Sequence, residues 1–328
     1  IKGIKILYLN EKNIDRIALS WNKKIDVIEQ SITALVNKDY AQPIKPYLRY
    51  KDLTNRIIAM PAYIGKPFDV AGIKWIASFP KNIEKGIKRA NSVTILNNAD
   101  TGEPECIINT SKISAIRTSA VSGVLVRKYL KRDNLPEKLK VGVTGFGPIA
   151  KLHIEMVHEL LGDRLDEILV YDIKHVDTSD LSSELQSVVR PVTSWEETYT
   201  DADIFITCTV SSDRYIDKEP KEGALLLNVS LRDFKGEIKQ HTDIMVVDDW
   251  EEVCRENTDI EHLYLEHGLV EPEVYSLSDV VNQELIESSK STDTIMFNPM
   301  GMAIFDMAVA KCYAHVAAEN SIGTELNN

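Results

Sequence analysis

The stretch "KVGVTGFGPIAKLH", residues 140–153, decides the fold. An apolar run ends at Gly145, Gly147 follows two positions on, and a helical pattern begins at once. Ala150 stands where a third small residue lets helix and strand pack closely. Pro148 suits the first turn of a helix, where its missing N–H has no intrahelical acceptor, although it removes one donor to a phosphate. Two readings are open for such a stretch: a cradle for the diphosphate of a dinucleotide, or a tight strand-to-helix turn without a ligand. The surrounding sequence separates them.

Beyond residue 153 the pattern alternates strand and helix. LKVGVTG, EILVYD, DIFITCTV, ALLLNVS and DIMVVDD are continuous apolar runs, as expected of strands covered on both faces. They predict an α/β chain with a doubly wound parallel sheet of the Rossmann type. "LVYDIK" puts Asp172 at the carboxyl end of the second strand. A carboxylate there binds the adenosine ribose hydroxyls and repels a 2′-phosphate, so NAD is expected over NADP, with the nearby Lys174 as the one feature against it. Strand, glycines, helix and acid together favour the cradle. The expected cofactor site comprises Gly145, Gly147, Pro148, Ile149, Ala150 and Asp172, with Thr209 and Ser230 at the ends of the third and fourth strands.

Upstream the pattern differs. A short strand at KILYLN precedes WNKKIDVIEQSITALVNK, residues 21–38, in which Ile25, Val27, Ile28, Ile32 and Leu35 keep near-helical spacing. QPIKPYLRY, RIIAMPAYI, VAGIKWIAS and SVTILNN read as strands, and NADTGEP supplies the turn into ECIIN. This block predicts a helix on an antiparallel or mixed sheet. A long helix, SKISAIRTSAVSGVLVRKYL, leads to the glycine stretch, and the terminal MFNPMGMAIFDMAVAKCYAHVAAEN reads as a strand end and an apolar helix that could return to the first block.

A chain of 328 residues with 44% hydrophobic and 27% charged content is long enough for two globular domains. Its net charge of -12, with no Lys/Arg-rich block, argues against nucleic acid as a partner. Cys106, Cys208, Cys254 and Cys312 lack metal-ligand spacing and read as reduced thiols; no metal is expected. No apolar run reaches the ~18 residues of a membrane span, and IKGIKILYLN lacks the features of a signal peptide. The expectation is a cytoplasmic protein without a membrane partner.

Three further motifs carry a family resemblance: Met60-Pro61, "GIKW" with Lys74, and "IRTSAVS" with Arg117. Placed before a dinucleotide domain, they resemble the ornithine cyclodeaminase/μ-crystallin family over nearly the whole chain. "QPIKPYLR", "RIIAMP", "TCTV", "VVDDW", "NPMGMAI" and "SIGTELN" look like the branch of that family that uses NAD to cleave N-(2-amino-2-carboxyethyl)-L-glutamate to 2,3-diaminopropionate and 2-oxoglutarate for siderophore or related biosynthesis. The resemblance implies a homodimer. It also implies a dimerisation and substrate domain from residues 1–117 plus 297–328, with the Rossmann domain, residues 118–296, inserted between them. The cyclodeaminases carry a glutamate two residues before the Met-Pro; here that position is Ile58, which cannot move protons.

Candidate site residues follow. Lys74, in a strand with apolar neighbours, meets an anion or snorkels at a strand edge. Arg117 either clamps a substrate carboxylate with its planar fork or forms a helix–sheet salt bridge. Arg49 is a third substrate cation, with Lys45 and Arg56 as rivals; a substrate with several carboxylates needs more than one of them. Asp233, three residues past LLLNVS, falls outside the strand's carboxyl end, where a nicotinamide would lie. It is either an Asx-turn residue or, as the resemblance implies, the proton-transfer group, with Lys74 beside it in the catalytic set. Asp306 matches a family aspartate that orders the site or interface. A ketimine reductase or amino-acid dehydrogenase, and a non-catalytic nucleotide-binding crystallin, are the competing functions.

Overall fold

The structure is a computed structural model that describes residues 5–327; the first four residues of the stretch considered above for a signal peptide lie outside it. The chain forms two units: Thr118–Gly301, and the residues up to Arg117 together with those from Met302 onward.

The inserted unit is an α/β layer structure on eight parallel strands. Their spatial order is Val189–Pro191, Leu165–Tyr171, Leu139–Thr144, Ile204–Thr207, Leu225–Asn228, Ile295–Asn298, Ile244–Val247 and Tyr275–Ser276. The five apolar runs read from the sequence are all strands of this sheet. Every residue of Ile204–Thr207, Leu225–Asn228, Ile244–Val247 and Ile295–Asn298 is buried, which is why those segments are apolar without alternation. Each fully buried Ile, Leu, Val or Phe contributes about 1.5–3 kcal/mol relative to exposure. The chain steps outward from Leu139–Thr144 to Leu165–Tyr171, then returns to Ile204–Thr207 on the other side. The topological switch point therefore lies between Leu139–Thr144 and Ile204–Thr207. Ile295–Asn298 is paired on both sides, so the chain stays in this sheet past residue 297, the expected boundary, and leaves after Gly301.

The other unit carries an eight-stranded mixed sheet. Its order is Thr324–Asn327, Lys5–Asn10, Pro104–Asn109, Ala90–Asn98, Val70–Ser78, Arg56–Ile64 and Tyr40–Ala41, with Tyr47–Leu48 also on Arg56–Ile64. Only Lys5–Asn10 and Pro104–Asn109 run parallel. The Asn98 side chain accepts from the amides of Asp100 and Thr101, both at 3.0 Å, and so closes the NADTGEP turn. QPIKPYLRY contributes only Tyr47–Leu48; Pro43 and Pro46 have no N–H to give a ladder. Helix Trp21–Val36, capped by Ser20, buries Trp21, Ile25, Ile28 and Ile32. Helix Ala303–Glu319 lies against it and against Arg56–Ile64 and Val70–Ser78. No helix among the described residues is long and apolar enough to cross a membrane.

Candidate active site

At the switch point the glycine stretch takes the geometry of a diphosphate loop. Gly145 has φ +90°, and a Cβ there would meet the Cys208 carbonyl oxygen at 2.4 Å; both conformation and space demand glycine. Gly147 is different. Its φ is -82°, open to any residue, and a Cβ would meet nothing within 4 Å. The space beside its backbone is thus what a ligand could occupy. Helix Pro148–Leu161 starts immediately after Gly147, and its first turn offers the amides of Ile149 and Ala150 and the positive end of the dipole to an anion. Asp172, one residue past Leu165–Tyr171, accepts from the Phe146 amide at 2.7 Å and the Lys174 amide at 2.8 Å. Those bonds fix its carboxylate beside the loop and leave acceptor capacity for ribose hydroxyls. These residues fit a dinucleotide.

Asp233 is fully buried. Its carboxylate accepts from the hydroxyls of Thr209 and Ser230, so the two residues expected at the cofactor are direct partners of the candidate base. Its carbonyl accepts from the amides of Tyr215 and Ile216 at 2.9 and 2.8 Å. Burial, and then the Asp233 charge, pushes the Cys208 thiol and the Tyr215 phenol up; both stay protonated at neutral pH.

In the other unit the structure brings Lys74, Arg117 and Asp306 together. Lys74, 2% exposed in Val70–Ser78, donates to Asp306 Oδ2 at 2.9 Å and to Ser114 Oγ at 3.0 Å. Arg117, on the helix Lys112–Tyr129, donates from Nε to Asp306 Oδ1 at 3.0 Å. Gly72 makes this possible. It shares a strand face with Lys74, and a Cβ there would meet the Ile95 carbonyl oxygen at 2.3 Å and Met307 Sδ at 2.8 Å, so a bare backbone at 72 lets the last helix bring Asp306 to Lys74. Burial drives the Lys74 ammonium down, Asp306 restores part of the loss, and Arg117 and then Lys45 lower it again, to about 7. Burial would raise the Asp306 carboxyl, but Arg117 and Lys74 outweigh it and hold it below its ordinary value. Of the three rival cations, Lys45 is buried and acts on Lys74, whereas the exposed Arg49 donates to the Leu53 carbonyl at 2.9 Å. Arg49 and Arg56 both lie over the Tyr47 ring.

The chain matches the ornithine cyclodeaminase/mu-crystallin family over residues 9–320. It belongs to that family. It is 32% identical to the N-((2S)-2-amino-2-carboxyethyl)-L-glutamate dehydrogenase of Staphylococcus aureus (strain NCTC 8325 / PS 47), with 98% of each chain covered. Among solved structures, the Δ(1)-pyrroline-2-carboxylate reductase of Thermococcus litoralis in complex with NADH and L-proline superposes with a TM-score of 0.88 at 24% identity, covering 98% of this chain and 100% of that one. An archaeal alanine dehydrogenase dimer with bound NAD gives a TM-score of 0.82 at 22% identity, over 98% and 99%. Ile58 sits in Arg56–Ile64, paired with Tyr47 and Ile76, and offers no group for proton transfer.

Lys74, Arg117, Asp233 and Asp306 are legible in the sequence, but Ser114, Asn228 and Asp259 are not: they meet Lys74, Asp259 and Arg214 from 40, 31 and 45 positions away. Asp259 reads in the sequence as an ordinary first-turn acid behind the Thr258 cap, and no local signal marks its contacts.

Proposed function

We propose that this chain is an NAD-dependent dehydrogenase that cleaves N-(2-amino-2-carboxyethyl)-L-glutamate to L-2,3-diaminopropionate and 2-oxoglutarate, for siderophore or related biosynthesis. The observation that carries the reading is the 32% identity, over 98% of each chain, to the Staphylococcus aureus enzyme of that activity. Ile58 in place of a proton-moving residue separates it from the cyclodeaminases. Arg117 and Lys74, with Lys45 close enough to act on Lys74, supply cations for a substrate with three carboxylates. Gly145, Gly147, Ile149, Ala150 and Asp172 hold NAD, which supplies the hydride acceptor when bound.

The residues of the chain do the rest. Asp233, kept in place by Thr209 and Ser230, takes the amine proton as the glutamate-side α-carbon is oxidised to the imine level. Lys74, with a pKa of about 7, can give and accept a proton at neutral pH. Water adds to the C=N bond, and collapse of the carbinolamine releases the primary amine and the 2-oxo acid. Arg117 donates to Asp306 from Nε, so its paired Nη groups are not what holds Asp306 and can face a carboxylate.

We assign the cytoplasm, in keeping with four free cysteines, and a homodimer through the unit that contains both termini. The dimer is supported by exposed apolar side chains there, among them Ile44, Leu48, Leu53, Trp75 and Ile87, and by the dimeric archaeal alanine dehydrogenase. The test is incubation of the purified protein with the amine and NAD+, with products identified by mass spectrometry. Diaminopropionate and 2-oxoglutarate in equal amounts with NADH support the reading; turnover of alanine or cyclic imines instead would overturn it.

A further inference from the structure

Asp259 is a buried acid that the chemistry above does not use. It is the first residue of helix Asp259–Glu266 and is fully buried. An aspartate at that position ordinarily turns to its own helix, whose first amides and dipole welcome it. This one turns away. Its Oδ2 accepts from the amide of Asp233 at 3.1 Å, the amide of Phe234 at 3.2 Å and Asn228 Nδ2 at 3.0 Å. Its own amide donates to the Leu231 carbonyl at 2.7 Å. Leu231 has φ +64°, a conformation costly for a leucine, and its amide is caught by Asn228 Oδ1 at 3.1 Å. The charge is balanced from the other side by Arg214, which donates Nε to Asp259 Oδ1 at 2.8 Å and Nη2 to the carbonyls of Asn257 and Thr258 at 3.0 and 2.9 Å.

A buried carboxylate is costly to desolvate, and an apolar residue of similar size would pack there at less cost. What the charge supplies is geometry: one oxygen gathers three donors from the segment 228–234 and holds it in a strained path. We propose that Asp259, locked by Arg214, is the positioning residue that fixes the Asp233 carboxylate for proton transfer. This rests on the role given to Asp233 above. Loss of the anchor lets the segment relax, and a displacement of about 1 Å at a reacting group costs on the order of 100-fold in rate.

The experiment combines a double-mutant cycle with hydrogen exchange on the full-length protein. In Asp259→Asn an amide NH2 must face either Arg214 or the three loop donors. Its kcat should fall roughly 30–100-fold, with the KM and NAD Kd within about threefold of wild type. In an Asp233→Asn background the same change should cost less than about threefold, because its effect acts through the group already removed. Asp203→Asn is the control: Asp203, 4% exposed, accepts from the Lys140 amide and Lys221 at the amino end of Ile204–Thr207, in the same sheet. It should lose stability while keeping kcat. Exchange at the amides of 233 and 234 should quicken at least about tenfold in Asp259→Asn and stay unchanged in Asp203→Asn. Equal losses in both backgrounds, or unchanged exchange, would overturn the proposal. If Asp259→Asn folds poorly, Arg214→Gln, which removes the ion pair that locks the Asp259 carboxylate on its three donors, enters the same cycle, with kcat expected to fall and exchange at 233 and 234 to quicken; unchanged values of both would overturn the proposal. Failure of the wild type to oxidise the amine would sink the function assigned above, while the exchange result still judges the anchor.

Discussion

Asp306 sets one negative charge between two buried cations. Removing one member of such a group is costly because a charge is left unpaired in a poor solvent, by about 3–5 kcal/mol. Lys74 has an escape, since its pKa already lies near 7 and it can shed its proton. The wild-type ammonium is charged and paired below pH 7, whereas in Asp306→Asn it loses the partner that holds its proton and gives that proton up at a lower pH; above pH 7 it is neutral in both. The deficit of Asp306→Asn should therefore be largest near pH 6 and shrink by pH 9. Urea unfolding at both values checks this, and a deficit that grows with pH would contradict it. His153 offers a second case. Fully buried, its Nδ1 lies 2.9 Å from the Ile149 carbonyl and its Nε2 2.9 Å from Ser122 Oγ. A carbonyl can only accept, so the proton sits on Nδ1. Burial lowers its pKa from 6.5 to about 4. Between those values the unfolded chain binds a proton that the folded chain does not, so stability falls as pH drops through this window, by at most about 3 kcal/mol. In His153→Gln the slope between pH 6.5 and 4.5 should flatten; an unchanged slope would assign it to other groups.

The strand–turn–helix element separates two kinds of glycine. Gly145→Ala meets both a left-handed φ and a backbone carbonyl, so it should lose about 1–3 kcal/mol of stability. Gly147→Ala meets neither. Its fold should be as stable as wild type or better by about 0.4–1 kcal/mol, through a stiffer unfolded chain, while its methyl group enters the space claimed for the diphosphate. We expect NAD affinity to fall at least about tenfold, a difference of about 1.4 kcal/mol. Thermal melts with and without NAD distinguish these outcomes. Unchanged NAD binding in Gly147→Ala would leave the element as a turn and nothing more.

For the whole molecule, NAD should raise the midpoint of unfolding and NADP should not, because Asp172 stands fixed by two amides at the end of the second strand. Equal shifts by the two cofactors would remove Asp172 from the ribose. Sedimentation at micromolar concentration should show a dimer. A monomer would leave the exposed Trp75 and Leu53 without the role given to them.

The sequence by itself determined the elements whose signal is local. Apolar runs such as LLLN mark strands buried on both faces, and "GFGPIA" marks a turn into a helix, because each is set by neighbours within a few positions. Lys74 and Arg117 were legible as chemistry for a similar reason, since a charge amid apolar residues is conspicuous, and Asp233 by its place three residues past the strand end of LLLNVS. Only the tertiary structure decided what those charges meet. Asp306 is 232 positions from Lys74 and 189 from Arg117, and its arrival depends on the bare backbone of Gly72. Lys45 rather than Arg49 is the cation buried with them, although both stand in one proline-rich stretch, because the path of the chain after Pro43 settles which side chain turns inward. Asp259 gave no signal at all. Periodicity reports which face of an element is buried, whereas the partners of a buried charge are fixed by how distant elements pack.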